Sequence, residues 1–316
     1  MGAELELLYT FAGLDSLTGV VAGTGKKRDG DGDGEDTLLV LGGNITGPGA
    51  GVPGSWAVWQ VAGFGSSNLD GGTGRGLAST STATKVADIP GDVFPNGIAL
   101  LPNDDNVVLI SDSKNGALLR LDRAANRLDT ILCAPEMAPV LGAKPAIGIN
   151  GLKIRDGWAY WGNSFASTIY RSCLNSTGFH CANGSRKAER VAEVPGTWLD
   201  DFAFGSDDII WAATNVNNTV VAIDAAQNRS EVVAGATDSL ELAGVTAVDF
   251  GRRAGERTLL FFSTSGGLAY PVNGSIVEPG KGKCSSYSCL SVLEVSESTL
   301  SFKSGRSLCK RSWILV

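Results

Sequence analysis

Short apolar stretches, each ended by glycine or small polar residues, recur along the whole chain and predict strands rather than helices. NGIALL (96–101), VVLISD (107–112) and ALLRLD (117–122) are typical: four to six residues, rich in Val, Ile and Leu, bounded by turn signals. No amphipathic helix longer than two turns can be found, and only the stretch from Ala134 to Gly142 offers a single turn.

The stretches fall into a repeat. A small polar residue precedes an apolar strand, a turn follows, then a second apolar strand ending in Ser, Thr, Asn or Gly, and then a third strand. Copies lie at 95–122, 149–171, 199–224 and 245–267, and an earlier one at 17–63 is broken by an insertion. A spacing of about 50 residues suits one four-stranded propeller blade. The expected fold is therefore all-β, a six-bladed β-propeller in a single domain over 1–316, with flexible loop insertions at 23–37 and 65–83. Five copies are clear. The sixth blade would draw on LELLYTF (5–11) and on the tail at 298–316, because propellers close by pairing strands from their two ends.

Superposing the copies brings Thr18, Asn96, Asn150, Asp200 and Thr246 to one position, just ahead of each innermost strand. In a propeller these positions ring the mouth of a central channel. Asn and Asp also suit the turns that precede strands, so turn chemistry is the competing account. Phe94 and Trp198 stand two residues before ring positions. Aromatic walls with few polar groups suit an apolar, conjugated substrate.

Composition narrows the function. The chain has 316 residues, 43% hydrophobic and 19% charged, enough apolar content for a sizeable core. Its net charge of −7 lacks the basic footprint that nucleic acid demands. No apolar run is long enough to span a bilayer. Six cysteines without a CxxC pair leave disulfides or buried thiols, and they exclude zinc spacing. Cys173 with Cys181 is the first candidate disulfide and Cys284 with Cys289 the second, while Cys133 and Cys309 have no assigned partner. Six N-x-S/T sequons, at Asn44, Asn175, Asn183, Asn217, Asn228 and Asn273, favour a secretory or extracellular location. The alternative is a cytosolic protein with free thiols. The first residues lack a charged segment followed by an apolar core, so no signal peptide is expected within this sequence.

FPNGIALLP with VLISDS, GINGLKI with YWGNS, and WLDDFAF with IWAATN resemble the senescence-marker-protein/gluconolactonase family of six-bladed propellers, regucalcin-like, over about residues 14–295. GVTAVDF and LLFFSTSGGLAYPVNGS further resemble its secreted fungal branch, which includes hetero-Diels–Alder cyclases that join tropolones to sesquiterpenes. The family's lactonases hold a divalent metal, often calcium. The resemblance matches Asn150 to the liganding Asn, Asp200 to the liganding Asp and Asn96 to a neighbouring Asn, but leaves the liganding Glu without a match. Metal is therefore not favoured. The resemblance implies an enzyme of specialised metabolism that assists a hetero-Diels–Alder addition. Asn96, Asn150 and Asp200 would hydrogen-bond the polar reactant, and Phe94, Trp161 and Trp198, with Thr18 and Thr246, would line the substrate site. A calcium-dependent lactonase using Asn150 and Asp200 is the alternative, and a non-catalytic binding propeller the third reading.

Other motifs have structural accounts. DGDGDGED (29–36) opens like a calcium loop, yet its twelfth position is Val40 where a bidentate Glu belongs. GGTGRG (71–76) lacks the strand–helix context of a dinucleotide site. Ser111 and Lys114 match S-x-x-K but end a strand in a turn. His180 is the sole histidine, in a loop between two cysteines, and is poorly placed for a catalytic triad.

Overall fold

Asparagine, aspartate and glycine end the apolar runs because the chain reverses there through left-handed backbone. Asn103 (φ 74°), Asp156 (φ 52°) followed by Gly157 (φ 78°), and Asn228 (φ 51°) each turn one strand into the next. The computed structural model describes residues 8–23, 37–63, 81–181, 187–251 and 257–286. Two compact units divide the chain, one running to Glu193 and the other beginning at Val194.

The first unit holds three four-stranded antiparallel sheets. In order, they are β1 (Ser16–Ala22), β2 (Leu38–Gly43), β5 (Ala57–Ala62) and β6 (Thr82–Asp88), with a small hairpin of β3 (Ile45–Gly47) and β4 (Ala50–Gly51) inserted; β7 (Pro95–Leu101), β8 (Asp104–Asp112), β9 (Ala117–Asp122) and β10 (Arg127–Cys133); and β11 (Ile149–Arg155), β12 (Trp158–Asn163), β13 (Thr168–Cys173) and β14 (Glu189–Glu193). In the second unit β15 (Leu199–Phe204), β16 (Ile210–Thr214), β17 (Thr219–Asp224) and β18 (Arg229–Gly235) form a fourth sheet. A three-stranded fifth follows, made of β19 (Val245–Phe250), β20 (Leu259–Thr264) and β21 (Lys281–Ser286).

Each sheet is a sequential meander, the arrangement of a propeller blade, and each begins where a copy of the repeat begins. Five blades stand among the described residues where six were expected. Residues 5–7 and 298–316, assigned to the sixth, lie outside the described residues. Residues 8–11, read as outer strand, lie outside any strand, and Phe11 packs edge-on against Trp59 at 5.6 Å. The insertions expected at 23–37 and 65–83 also fall largely outside the described residues, although Thr82 and Ala83 already belong to β6, paired with Ala62 and Val61. The single turn expected between Ala134 and Gly142 is a 3-10 turn (Pro135–Met137).

Burial follows from a strand's place in its blade. β9 and β17 are buried along nearly their whole length, and β10 and β18 are largely exposed or half-exposed. Central strands are covered on both faces, so their sequences run apolar without alternation. The cores lie between neighbouring blades. Leu109, Leu118 and Leu132 of the second blade pack with Met137, Ile149, Leu152 and Trp161. In the second unit Trp211, Ala213 and Val220 pack with Val245, Val248, Leu260 and Phe262.

Candidate functional site

Each innermost strand begins with a β-bulge. In β11, Ile149 faces Asn163 and Leu152 faces Trp161, so the innermost strand has one residue more than its partner. The same irregularity follows Leu17 in β1, Pro95 in β7, Leu199 in β15 and Val245 in β19. Thr18, Asn96, Asn150, Asp200 and Thr246 immediately follow these residues. The sequence placed them just ahead of the strands; they lie inside them, at the bulge, where ladder pairing lapses and a side chain can be re-aimed.

Neighbouring innermost strands in the first unit come close because the next residue is glycine. A Cβ on Gly97 would lie 2.5 Å from the carbonyl oxygen of Asn150, and one on Gly19 would run into that of Asn96. Hydroxyls tie neighbouring blades together at the same level. Thr18 Oγ1 donates to the Pro95 carbonyl at 2.9 Å and Ser111 Oγ to the Asn150 carbonyl at 2.7 Å, while Ser113 Oγ donates to the carbonyl of Ile149.

A second set of polar residues, missed in the sequence, partners the first. Ser113, Ser164, Asn215 and Ser265 follow the second strand of their blades. Their N–H groups donate to the carbonyls of Phe94, Gly148, Trp198 and Gly244 at 2.9, 3.1, 2.9 and 2.8 Å. Asn150 Nδ2 donates to Ser164 Oγ at 2.9 Å, and Asn215 Nδ2 donates to Asp200 Oδ2 at 2.9 Å. Thr246 shares a 2.8 Å hydrogen bond with Ser263. Asn150 is 2% exposed, whereas Asn96 and Asp200 are half-buried and reachable. Asn215 is 4% exposed and its Oδ1 is buried with no hydrogen-bond partner among the described residues. An unsatisfied buried acceptor costs about 1–3 kcal/mol. The signal for these residues was the Ser or Asn that ends each second strand.

The three candidate aromatics are all buried: Phe94 is 6%, Trp161 0% and Trp198 5% exposed. Trp161 is fully buried and stacks on Tyr170 at 6.0 Å, in the core between the second and third blades, so it packs rather than lines a site. Phe94 meets Trp56 edge-on at 5.6 Å, and Trp198 meets Tyr270 edge-on at 5.2 Å. Trp198 has φ 59°, a conformation costly for a bulky side chain, two residues before Asp200.

The remaining motifs act structurally. Ser111 Oγ accepts from Gly97 N at 2.6 Å, and Lys114 is paired with Asp92. His180 Nδ1 shares a 3.0 Å hydrogen bond with Ser172 Oγ, but Ser172 is 1% exposed and cannot meet a substrate. Residues 29–36 and 71–76 lie outside the described residues. For a hard cation, the bulges of the first unit offer Thr18, Asn96 and Asn150 without a carboxylate, and those of the second offer Asp200, already bonded to Asn215, with Thr246. Calcium takes six to eight oxygens and favours carboxylates, so neither set fits it. Among the described residues no three of His, Cys, Asp and Glu cluster as metal ligands.

Cys173 and Cys181 form a disulfide with Cα atoms 5.5 Å apart. Cys133 is exposed and unpaired, whereas Cys289 and Cys309 lie outside the described residues. Among the described residues no helix is long and apolar enough to cross a membrane.

These blades and their equivalent bulges define an all-β protein of the propeller class. Among curated proteins, the chain is 30% identical over 207 residues to a "Putative hetero-Diels-Alderase" of Phoma sp, covering 59% of this chain and 56% of that one. It is 27% identical over 205 residues to "Putative hetero-Diels-Alderase asR5" of Sarocladium schorii, covering 57% of this chain and 50% of the other. The chain thus spans about half the length of the curated relatives it matches. No protein-family profile matches it. Similar solved structures include a nidogen/laminin complex (TM-score 0.47, 14% identity, 78% of this chain and 71% of that one). Another is virginiamycin B lyase from Staphylococcus aureus (TM-score 0.41, 12% identity, 78% and 67%). Both likenesses are too distant to bear on function.

Proposed function

We propose that the protein is a cyclase of specialised metabolism that assists an intermolecular hetero-Diels–Alder addition, on a propeller completed by a sixth blade. The observation that carries this reading is the similarity to two proteins bearing that name, at 30% and 27% identity. A quinone-methide heterodiene and an apolar alkene form one C–C and one C–O bond. Three π bonds become two σ bonds and one π bond, with no leaving group and no net proton transfer. Such a reaction needs no nucleophile–base pair. Holding both reactants in register can remove roughly 7–11 kcal/mol of barrier in favourable cases.

Negative charge grows on the quinone-methide oxygen as the bonds form, and a fixed amide donor stabilises it. Asn96, half-buried at its bulge, is the donor in the first unit. In the second unit half-buried Asp200, held by the amide of Asn215, offers a carboxylate acceptor suited to a hydroxyl-bearing reactant. Generating an ortho-quinone methide in the presence of a sesquiterpene alkene and the purified protein tests the reading. The expected result is faster adduct formation with enantiomeric excess; a racemic adduct at the buffer rate contradicts it.

A further inference from the structure

The chain carries six sequons, and the fold sorts them. Asn183 lies outside the described residues. Of the other five, three present their asparagine to solvent on a turn. Asn175 is exposed within the disulfide-closed loop. Its Oδ1 accepts from Thr177 N at 3.0 Å, Thr177 Oγ1 at 2.8 Å and Phe179 N at 3.0 Å. All three donors take the oxygen, which leaves the amide nitrogen available. Asn228, in the exposed turn from β17 to β18, has φ 51°. Asn273, at the tip of a turn closed by the Val272–Ile276 bridge, has φ 53° and is exposed.

Asn44 and Asn217 also have their Oδ1 engaged, but they differ in exposure, since both are half-buried. Asn217 is half-buried and its Oδ1 accepts from Thr197 N at 2.6 Å. The hydroxyl of its sequon, on Thr219, is 2.6 Å from Thr214 Oγ1 in a residue only 6% exposed. Half-buried Asn44 donates its N–H to Ser55 Oγ and accepts from Asp15 N, both at 3.0 Å. Sugar is added to a chain before it finishes folding, so the fold acts as a filter on the product: a chain that carries sugar where the fold must close over it does not reach the native state and is not recovered. A bulky, hydrated sugar on Asn44 or Asn217 would have to be pressed against neighbouring backbone, whereas on the three turns it extends into water.

We propose that Asn175, Asn228 and Asn273 are N-glycosylated and that Asn44 and Asn217 stay bare. In the transfer, the amide Nδ2 bonds to the anomeric carbon of an oligosaccharide carried on a lipid diphosphate. The carbon–oxygen bond to the diphosphate breaks, the diphosphate leaves with the electron pair, and the amide loses one proton. The assignment is independent of the cyclase reading and requires passage through the secretory compartment, where the Cys173–Cys181 bond also persists.

The test is to direct the full chain through the secretory pathway of a eukaryotic host and remove N-glycans enzymatically in ¹⁸O-water. Peptide masses then report each asparagine that carried sugar, as labelled aspartate. Label is expected at Asn175, Asn228 and Asn273 and not at Asn44 or Asn217. Single Asn→Gln changes at the first three should each remove one glycan's mass from the intact protein, and at the last two none. A bare asparagine at any of the three, or sugar on Asn44 or Asn217, overturns the assignment.

Discussion

Gly97 has no side chain because backbone occupies the space where one would be. An added Cβ would lie 2.5 Å from the Asn150 carbonyl oxygen and 2.8 Å from Leu152 N, and neither can rotate away as a side-chain tip would. Gly97→Ala must therefore push β7 and β11 apart. Overpacking of this kind costs typically about 1–3 kcal/mol. Gly47→Ala, in the β3–β4 hairpin, meets nothing within 4 Å and serves as the control. Denaturant titration should show a clearly lower midpoint for Gly97→Ala and almost no change for Gly47→Ala. Equal midpoints would mean that the innermost strands are not held at this separation. In the second unit Asp201 takes the position of Gly97, so the residue beside Asp200 carries a side chain where the first unit has none. The pairing of WLDDF with FPNGI was legible in the sequence. The glycine's reason was not, because it depends on a strand some fifty residues away.

Strand order within each blade could be read from the sequence because turn residues and apolar runs are local signals. The bulge could not, since it is a property of two strands in register, and it moved the five polar positions from before the innermost strands to within them. Their partners Ser164 and Asn215 were missed for the same reason, and Trp161 was read as a substrate wall when its stack on Tyr170 places it in the core. The disulfide was legible, as its cysteines stand only eight positions apart. What the loop holds was not. β13 continues into a small hairpin whose Thr177 carbonyl accepts from Arg120 Nε at 2.8 Å, with the Phe179 ring 4.5 Å from that guanidinium. Arg120 is 4% exposed, so this loop from the third blade covers a cation of the second. Opening the bond with Cys173→Ser and Cys181→Ser together should cost about 2–3 kcal/mol of loop-closure stability. Hydrogen exchange at Gly178 and Phe179 should accelerate well before the rest of the sheet. Unchanged protection there would show that Arg120, not the disulfide, holds the loop.

At the scale of the molecule, repetition supplies one scaffold and variation at one register supplies the chemistry. Five blades carry Thr, Asn, Asn, Asp and Thr at the same bulge, while the cores between blades stay apolar. Fold class was thus open to a reading of period and composition, and function was not, since the bulge residues serve strand packing and substrate equally well until their exposure is known. Asn96 and Asp200 remain reachable; Asn150 does not. The rate and enantiomeric excess of the quinone-methide adduct, measured for the unmodified protein and for Asn96→Ala, Asp200→Asn and Asp200→Ala, test the assignment directly. Loss of one transition-state hydrogen bond worth about 1.4 kcal/mol lowers the rate roughly tenfold. Asn96→Ala and Asp200→Ala should each lose about that much, along with enantiomeric excess, and Asp200→Asn should lose less because it keeps an acceptor oxygen. Rate and selectivity unchanged in all three variants would contradict a functional role for the bulge positions.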